Sequence, residues 1–207
     1  MTEAVADGGG TLADPPDADG LVWTDAHDAS GLVALLDGAP GIRWVQLPFA
    51  GVEKFLHVLD AAHTWTSAKG VYAEPVAEHV LALGLAGLRQ LTVRARAHEW
   101  GPPAGKRLMG ERVTILGGGG ITVALLELLA PFGVETTVVR RHVAPLEGAT
   151  RVVGTDQLAD ALPGACLVVL ALALTPETTG IIGAPELALM DRDAWLVNVA
   201  RGPHVDT

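Results

Sequence analysis

Val113-Thr114-Ile115-Leu116 runs directly into Gly117-Gly118-Gly119-Gly120, and a helical pattern starts at the next residue. Ile121, Ala124, Leu125, Leu128, Leu129 and Phe132 fall at i, i+3, i+4, i+7, i+8 and i+11, one face of a helix. Strand, glycine turn, helix is the context in which a dinucleotide fingerprint carries weight. Gly117 permits the tight turn, Gly119 lets backbone N–H groups approach a pyrophosphate, and Gly120 and Ile121 open the helix whose positive end faces that anion. The third glycine of the fingerprint, which brings helix close to strand, is replaced by Thr122. A β-branched residue there is expected to push the helix outward or force a shifted contact.

Strand-like and helix-like stretches alternate along the rest of the chain, which implies parallel sheet with crossover helices. Short strands are expected at 21–24, 42–47 and 64–66, with helices at 32–36 and 53–59 between them. A helix at the start of the chain closes on Gly8-Gly9-Gly10. Glu74-Pro75 opens a long helix to about His98, apolar on nearly every face, of the kind buried on several sides or held in an oligomer interface. Gly101-Pro102-Pro103-Ala104-Gly105 then reads as a hinge. Beyond the glycine turn we expect strands at 134–139, 152–153, 166–172 and 194–199, and helices at 156–161 and 186–190. The fold class is therefore α/β; the family resemblance given below implies, further, two Rossmann-like domains, residues 1–100 (flavodoxin-like) and residues 104–207 (NAD(P)-binding), both incomplete.

Composition enters by exclusion. Although 49% of the 207 residues are hydrophobic, no uninterrupted apolar run reaches the ~18 residues that span a bilayer. No secretory signal opens the chain, and Cys166, the single cysteine, lies in an apolar run and reads as a core residue. These features point to a cytoplasmic protein without membrane partners. A net charge of −10 argues against a nucleic-acid partner.

Arg140 and Arg141 end the strand after the glycine turn, where an acidic residue would bind the adenine ribose hydroxyls. Two cations there suit a 2′-phosphate, hence NADP(H), with NAD(H) the cofactor if Arg140 faces away; the bland alternative is an exposed basic turn. Residues 174–180, containing Thr178, follow a buried strand, as does the segment Val197-Asn198-Val199-Ala200-Arg201-Gly202. A guanidinium in that position can clamp a carboxylate and polarise a neighbouring carbonyl. His204, close to Arg201, could be offered as an acid/base but reads rather as a solvent-exposed loop histidine, and His79 as packed or interfacial. No histidine–cysteine cluster has metal-ligand spacing.

With these residues in place, the chain resembles the D-isomer-specific 2-hydroxyacid dehydrogenases. Residues 48–53 look like the substrate loop, in which the amides of Ala50, Gly51 and Val52 hold a carboxylate. Residues 70–79 are similar to the lead into the interdomain helix, and residues 174–178 to the cofactor-side loop, with Ala173 where a proline is usual. The resemblance implies hydride transfer between a nicotinamide cofactor and a small 2-keto acid or D-2-hydroxy acid. Arg201 would be the catalytic arginine, and the carbonyls of Val199 and Ala200 would meet the nicotinamide. In the family a downstream histidine, supported by a glutamate, protonates the developing alkoxide. The sequence stops before either, and a strand and most of a helix are expected ahead of Met1. The expectation is thus an inactive fragment, or one slower by about 10²–10⁴-fold, with exposed sheet edges and apolar faces, from a protein that is a homodimer at full length. Two rivals stay open: a dinucleotide-binding sensor or partner subunit without turnover, and a truncated product that folds poorly.

Overall fold

A computed structural model describes residues 2–207, which fall into two compact units, residues 2–71 and 72–207. In the first, α1 (Thr2–Asp7) is followed by β1 (Gly20–Val22), α2 (Ala29–Gly38), β2 (Trp44–Leu47) and β3 (Thr64–Ser67). The three strands form one parallel sheet in the order β1-β2-β3. Asp28 starts α2 by accepting the Gly31 N–H at 2.7 Å. Leu32, Ile42, Val45, Leu47 and Phe55 form the core of this unit.

The helix expected over 53–59 is absent. That stretch is a run of turns, with i→i+3 bonds from Phe55 N–H to Val52 and from Val58 N–H to Phe55. Burying Phe55, only 3% exposed, fixes the segment against the sheet without a continuous helix.

The second unit opens with α3 (Ala73–Leu88) and the single turn α4 (Leu91–Arg94). It continues through β4 (Arg112–Leu116), α5 (Gly120–Leu129), β5 (Glu135–Val139), β6 (Arg151–Val153), α6 (Leu158–Ala161), β7 (Ala165–Leu170), α7 (Ala184–Leu189) and β8 (Trp195–Asn198). All five strands are parallel, in the order β6-β5-β4-β7-β8. The chain winds one way from β4 to β6 and the other way from β7 to β8, so the order reverses between β4 and β7.

Alternation along the strands covers both faces of this sheet. Val113 and Ile115 of β4, with Leu167 and Val169 of β7, join α3 and α5 in one core. Leu116, Val168 and Leu170 join α6 and Ile182 in the other. Every residue of β7 is buried, Cys166 among them. On α5 the buried leucines are Leu125, Leu126 and Leu129, whereas Leu128, expected on the inner face, is 36% exposed.

The long helix stops earlier than the sequence suggests and packs differently. It ends at Leu88, and Gln90 takes a left-handed conformation, φ 53°, before α4. Placed with residues 1–100 on sequence grounds, α3 instead packs on α5, β7 and β8, so the compact units divide at Val71 rather than near 100. Glycines permit this approach: a Cβ on Gly84 would come within 2.9 Å of Leu167, and one on Gly87 within 2.4 Å of the Trp195 ring. Among the described residues no helix is long and apolar enough to cross a membrane.

Candidate dinucleotide and carboxylate site

The carboxyl ends of β4, β5, β7 and β8 lie along one edge of the five-stranded sheet, on both sides of the point where strand order reverses. Open α/β sheets bind ligands in the crevice at that place. The glycine turn after β4 shows what each position is for. Gly117 sits at φ 110°, and a Cβ there would fall 2.2 Å from the carbonyl oxygen of Ala171, so neither the conformation nor the space admits a side chain. Its N–H donates to Val139 at 2.8 Å, tying the turn to β5.

Gly119 caps α5 with no side chain, and a Cβ there would meet nothing within 4 Å, so the approach to the helix start is open. The first amides of α5, from Gly120 and Ile121 onward, have no intrahelical acceptor. They fit a dinucleotide's pyrophosphate, which takes donors and the positive end of the helix.

Thr122 does not push α5 away. It is fully buried, and its hydroxyl donates to the Gly117 carbonyl at 3.0 Å, stapling the first helical turn to the glycine turn. The cost expected from a β-branched side chain is offset by a bond that glycine cannot make.

Arg140 is half-buried and lies across the turn: a Cβ on Gly118 would meet its Cδ at 2.9 Å and its Cζ at 3.2 Å. It therefore faces the crevice. Arg141 is exposed. The Thr175 hydroxyl, and more weakly the Arg141 guanidinium, hold the Glu177 carboxyl below its usual range.

After β7 the chain forms a tight turn. The Thr178 hydroxyl donates to the Ala173 carbonyl at 2.8 Å and accepts the Thr175 N–H at 2.8 Å, while the Thr179 hydroxyl donates to the Thr175 carbonyl at 2.9 Å.

After β8, Asn198 brackets the arginine segment, a role its sequence position does not signal. Its Oδ1 accepts the Ala200 N–H at 3.0 Å, and its Nδ2 donates to the Arg201 carbonyl at 2.8 Å. Arg201 is exposed, and its Nη1 donates to the Ala200 carbonyl at 2.9 Å. Val199 donates its N–H to Leu170 at 3.2 Å, which keeps the segment in line with the sheet.

One histidine differs from expectation. His204 is not a solvent-exposed loop residue: it is fully buried, with Nδ1 2.8 Å from the Thr178 carbonyl oxygen. A three-residue 3₁₀ turn, Gly202–His204, rolls the ring inward. His79 is exposed on α3, which removes the packed alternative and is compatible with the interfacial one. Among the described residues no group of three His, Cys, Asp or Glu side chains is placed to hold a metal ion.

Thus Gly117, Gly119, Gly120, Ile121, Arg140, Arg141, Ala173, Thr178, Val199, Ala200 and Arg201 all belong to one edge of the second unit. Ala50, Gly51 and Val52 belong to the first, immediately past the carboxyl end of β2, with Ala50 exposed and the other two half-buried. A cavity of about 190 Å³ opens among Arg112, Glu135, Thr136, Arg151 and Asp160, beside the amino ends of the strands, and takes in none of these residues.

The family model described as D-isomer specific 2-hydroxyacid dehydrogenase, NAD binding domain, matches residues 79–207. An uncharacterized protein from the proB 3'region of Corynebacterium melassecola is 34% identical, covering 100% of this chain and 69% of its own length. D-3-phosphoglycerate dehydrogenase of Mycobacterium leprae is 31% identical over 94% of this chain, and the chain spans only 38% of it. A solved D-isomer specific 2-hydroxyacid dehydrogenase from Xanthobacter autotrophicus, in complex with NADPH and MES, is 29% identical with a TM-score of 0.74, covering 94% of this chain and 62% of that one.

Proposed function

The chain belongs to the D-isomer specific 2-hydroxyacid dehydrogenases, and from that premise we propose that its second unit binds a nicotinamide dinucleotide, NADP(H) ahead of NAD(H). The observation that carries the preference is Arg140, whose guanidinium lies over Gly118 at the rim of the glycine turn. A 2′-phosphate entering beside that turn meets a cation already facing it, and Arg141 adds a second. The α5 amides receive the pyrophosphate, and the turn held by Thr178 closes the other side of the crevice.

The substrate is a small 2-keto acid or D-2-hydroxy acid. Arg201 receives its carboxylate and polarises the carbonyl beside it. Asn198 fixes the backbone from which that guanidinium reaches out. In the first unit, the backbone amides of Ala50, Gly51 and Val52 serve carboxylate binding, which makes that unit the substrate-binding part. The dinucleotide supplies the hydride. The proton is not supplied by His204, because the ring is fully buried and its Nδ1 is engaged with Thr178. We infer that these 207 residues by themselves bind cofactor and carboxylate without turnover. We assign the protein to the cytoplasm. At full length we assign it to a homodimer that covers the outer face of α3, where Leu83 is 41% exposed.

The test is a fluorescence titration of the chain with NADPH and with NADH, followed by addition of glyoxylate, hydroxypyruvate and pyruvate. NADPH should bind ahead of NADH, and no keto acid should be reduced. Losing one charge-assisted bond is worth about 1.5–3 kcal/mol, so Arg140→Ala should weaken NADPH by roughly 10–100-fold and leave NADH nearly unchanged. Equal loss for both cofactors would remove the basis for the preference. Oxidation of NADPH on adding a keto acid would overturn the claim that turnover is missing.

A further inference from the structure

We propose that His204 is a positioning residue, holding the cofactor-side turn after β7 against the arginine segment after β8 through the bond from its Nδ1–H to the Thr178 carbonyl. The inference rests on the cofactor reading above and identifies the side chain that joins two of its loops. A carbonyl oxygen only accepts, so Nδ1 carries the proton of this bond. Nε2 is buried and without a hydrogen-bond partner among the described residues. An apolar side chain would occupy this place without leaving a buried nitrogen unpaired. What histidine adds here is the one bond it makes.

The position of that bond explains its use. Backbone bonds already pair the two segments further along: Gly180 N–H to Pro203, Ile182 N–H to His204, and Asp206 N–H to Ile182, at 2.8, 3.0 and 2.9 Å. Of these, only the Gly180 bond lies in the turn, at its last residue, and none engages Thr178. Thr178 lies within the turn, with its hydroxyl committed to Ala173 and Thr175. The other N–H near its carbonyl is that of Ile181, at a long 3.4 Å.

At the opposite end, the His204 N–H donates to the Arg201 carbonyl at 3.2 Å, the same oxygen that Asn198 holds. One residue thus spans from the backbone of the carboxylate-binding arginine to the turn that borders the dinucleotide. Without the ring, the Thr178 part of the turn is held to the arginine segment only through the backbone bond at Gly180, while the sheet stays intact.

The experiment compares His204→Leu, which keeps bulk and removes the donor, with His204→Asn, whose Nδ2 donates from nearly the place of Nδ1. NADPH affinity of the 207-residue chain is read by fluorescence, with urea unfolding in parallel. The leucine variant should bind NADPH about 3–10-fold more weakly, the loss expected for one neutral hydrogen bond, with an unfolding midpoint at or above that of the unchanged chain. The asparagine variant should recover affinity to within about twofold. Unchanged affinity in the leucine variant, or asparagine as weak as leucine, would overturn the inference alone. Failure of the unchanged chain to bind NADPH would overturn the cofactor reading and this inference with it. If the leucine variant does not fold, His204→Ala with added imidazole decides. Restored NADPH affinity supports positioning, whereas no restoration, or an alanine variant that also fails to fold, means a purely structural ring.

Discussion

Replacing Gly117 by alanine should destabilise the second unit by about 3–5 kcal/mol, and the figure can be assembled from the geometry. At φ 110° the backbone lies outside the regions open to L-residues, and holding alanine there costs on the order of 1–3 kcal/mol. The new methyl would also sit 2.2 Å from the Ala171 oxygen and 2.7 Å from its carbonyl carbon, distances that real Cβ atoms do not tolerate. Relief requires separating the ends of β4 and β7. They are tied there by the Ala171 N–H to Leu116 bond, and Gly117 is itself tied to Val139, both at 2.8 Å. Each bond given up adds about 1 kcal/mol.

Gly119→Ala is the matched control. Gly119 has an ordinary φ of −90° and nothing near its Cβ direction, so the folded state should change by no more than about 1 kcal/mol, the difference between helix-capping residues. Its methyl would point into the open approach to α5, and NADPH affinity should fall roughly 10-fold or more if charged contacts are displaced. Urea unfolding followed by circular dichroism, with an NADPH titration of each variant, separates the two effects. A Gly117→Ala chain within about 1 kcal/mol of the unchanged one would refute the steric argument, since strain alone should exceed that.

Thr122→Val keeps the shape of the side chain and removes the donor to Gly117; leaving that carbonyl short of a partner should cost about 1–3 kcal/mol in urea unfolding, and no loss would mean the staple is incidental. Burial pushes the Cys166 thiol up to about 11, so a disulfide reagent at pH ~8 should label it only as the chain unfolds, and rapid labelling of the native protein would contradict the packing of β7. The sign also fixes a pH dependence: with the folded value raised above the ordinary one near ~8.5, this thiol's contribution is intact below about pH 8.5 and is lost as pH rises toward about 11. Unfolding midpoints should therefore be lower near pH ~10.5 than near pH ~8, and the difference should shrink in Cys166→Ala.

Whatever local chemistry alone decides is legible in the sequence. Four β-favouring residues before four glycines and an amphipathic run locate β4, the turn and α5 within a residue or two, because both periodicities and the φ requirement are local. The same holds for β7, where a continuous apolar run matches a strand buried on both faces. The failures are places where a distant partner decides. Nothing in the sequence at Arg89-Gln90 resembles a helix stop. The stop comes from Gln90 adopting a left-handed conformation more typical of glycine, after which the Lys106 N–H donates to the Leu88 carbonyl. Residues 53–59 carry a helical pattern, yet Phe55 is drawn into the core by turns.

His204 and Thr122 escape a sequence reading for one physical reason, and it bears on the site. Neighbours in sequence make a histidine after Gly-Pro look exposed and a threonine at a glycine position look like an obstruction. Each is instead defined by a carbonyl it reaches across space, His204 by Thr178 and Thr122 by Gly117. Both carbonyls belong to loops at the carboxyl ends of strands, where the ladder no longer pairs backbone groups and a side chain must do so. The glycine turn and the turn after β7 face each other where the strand order reverses. A crevice of this kind needs loops long enough to border a ligand and held firmly enough to keep a fixed width. The buried side-chain bonds of Thr122 and His204 meet the second condition, one on each wall, and they do so from residues that themselves stay out of the crevice.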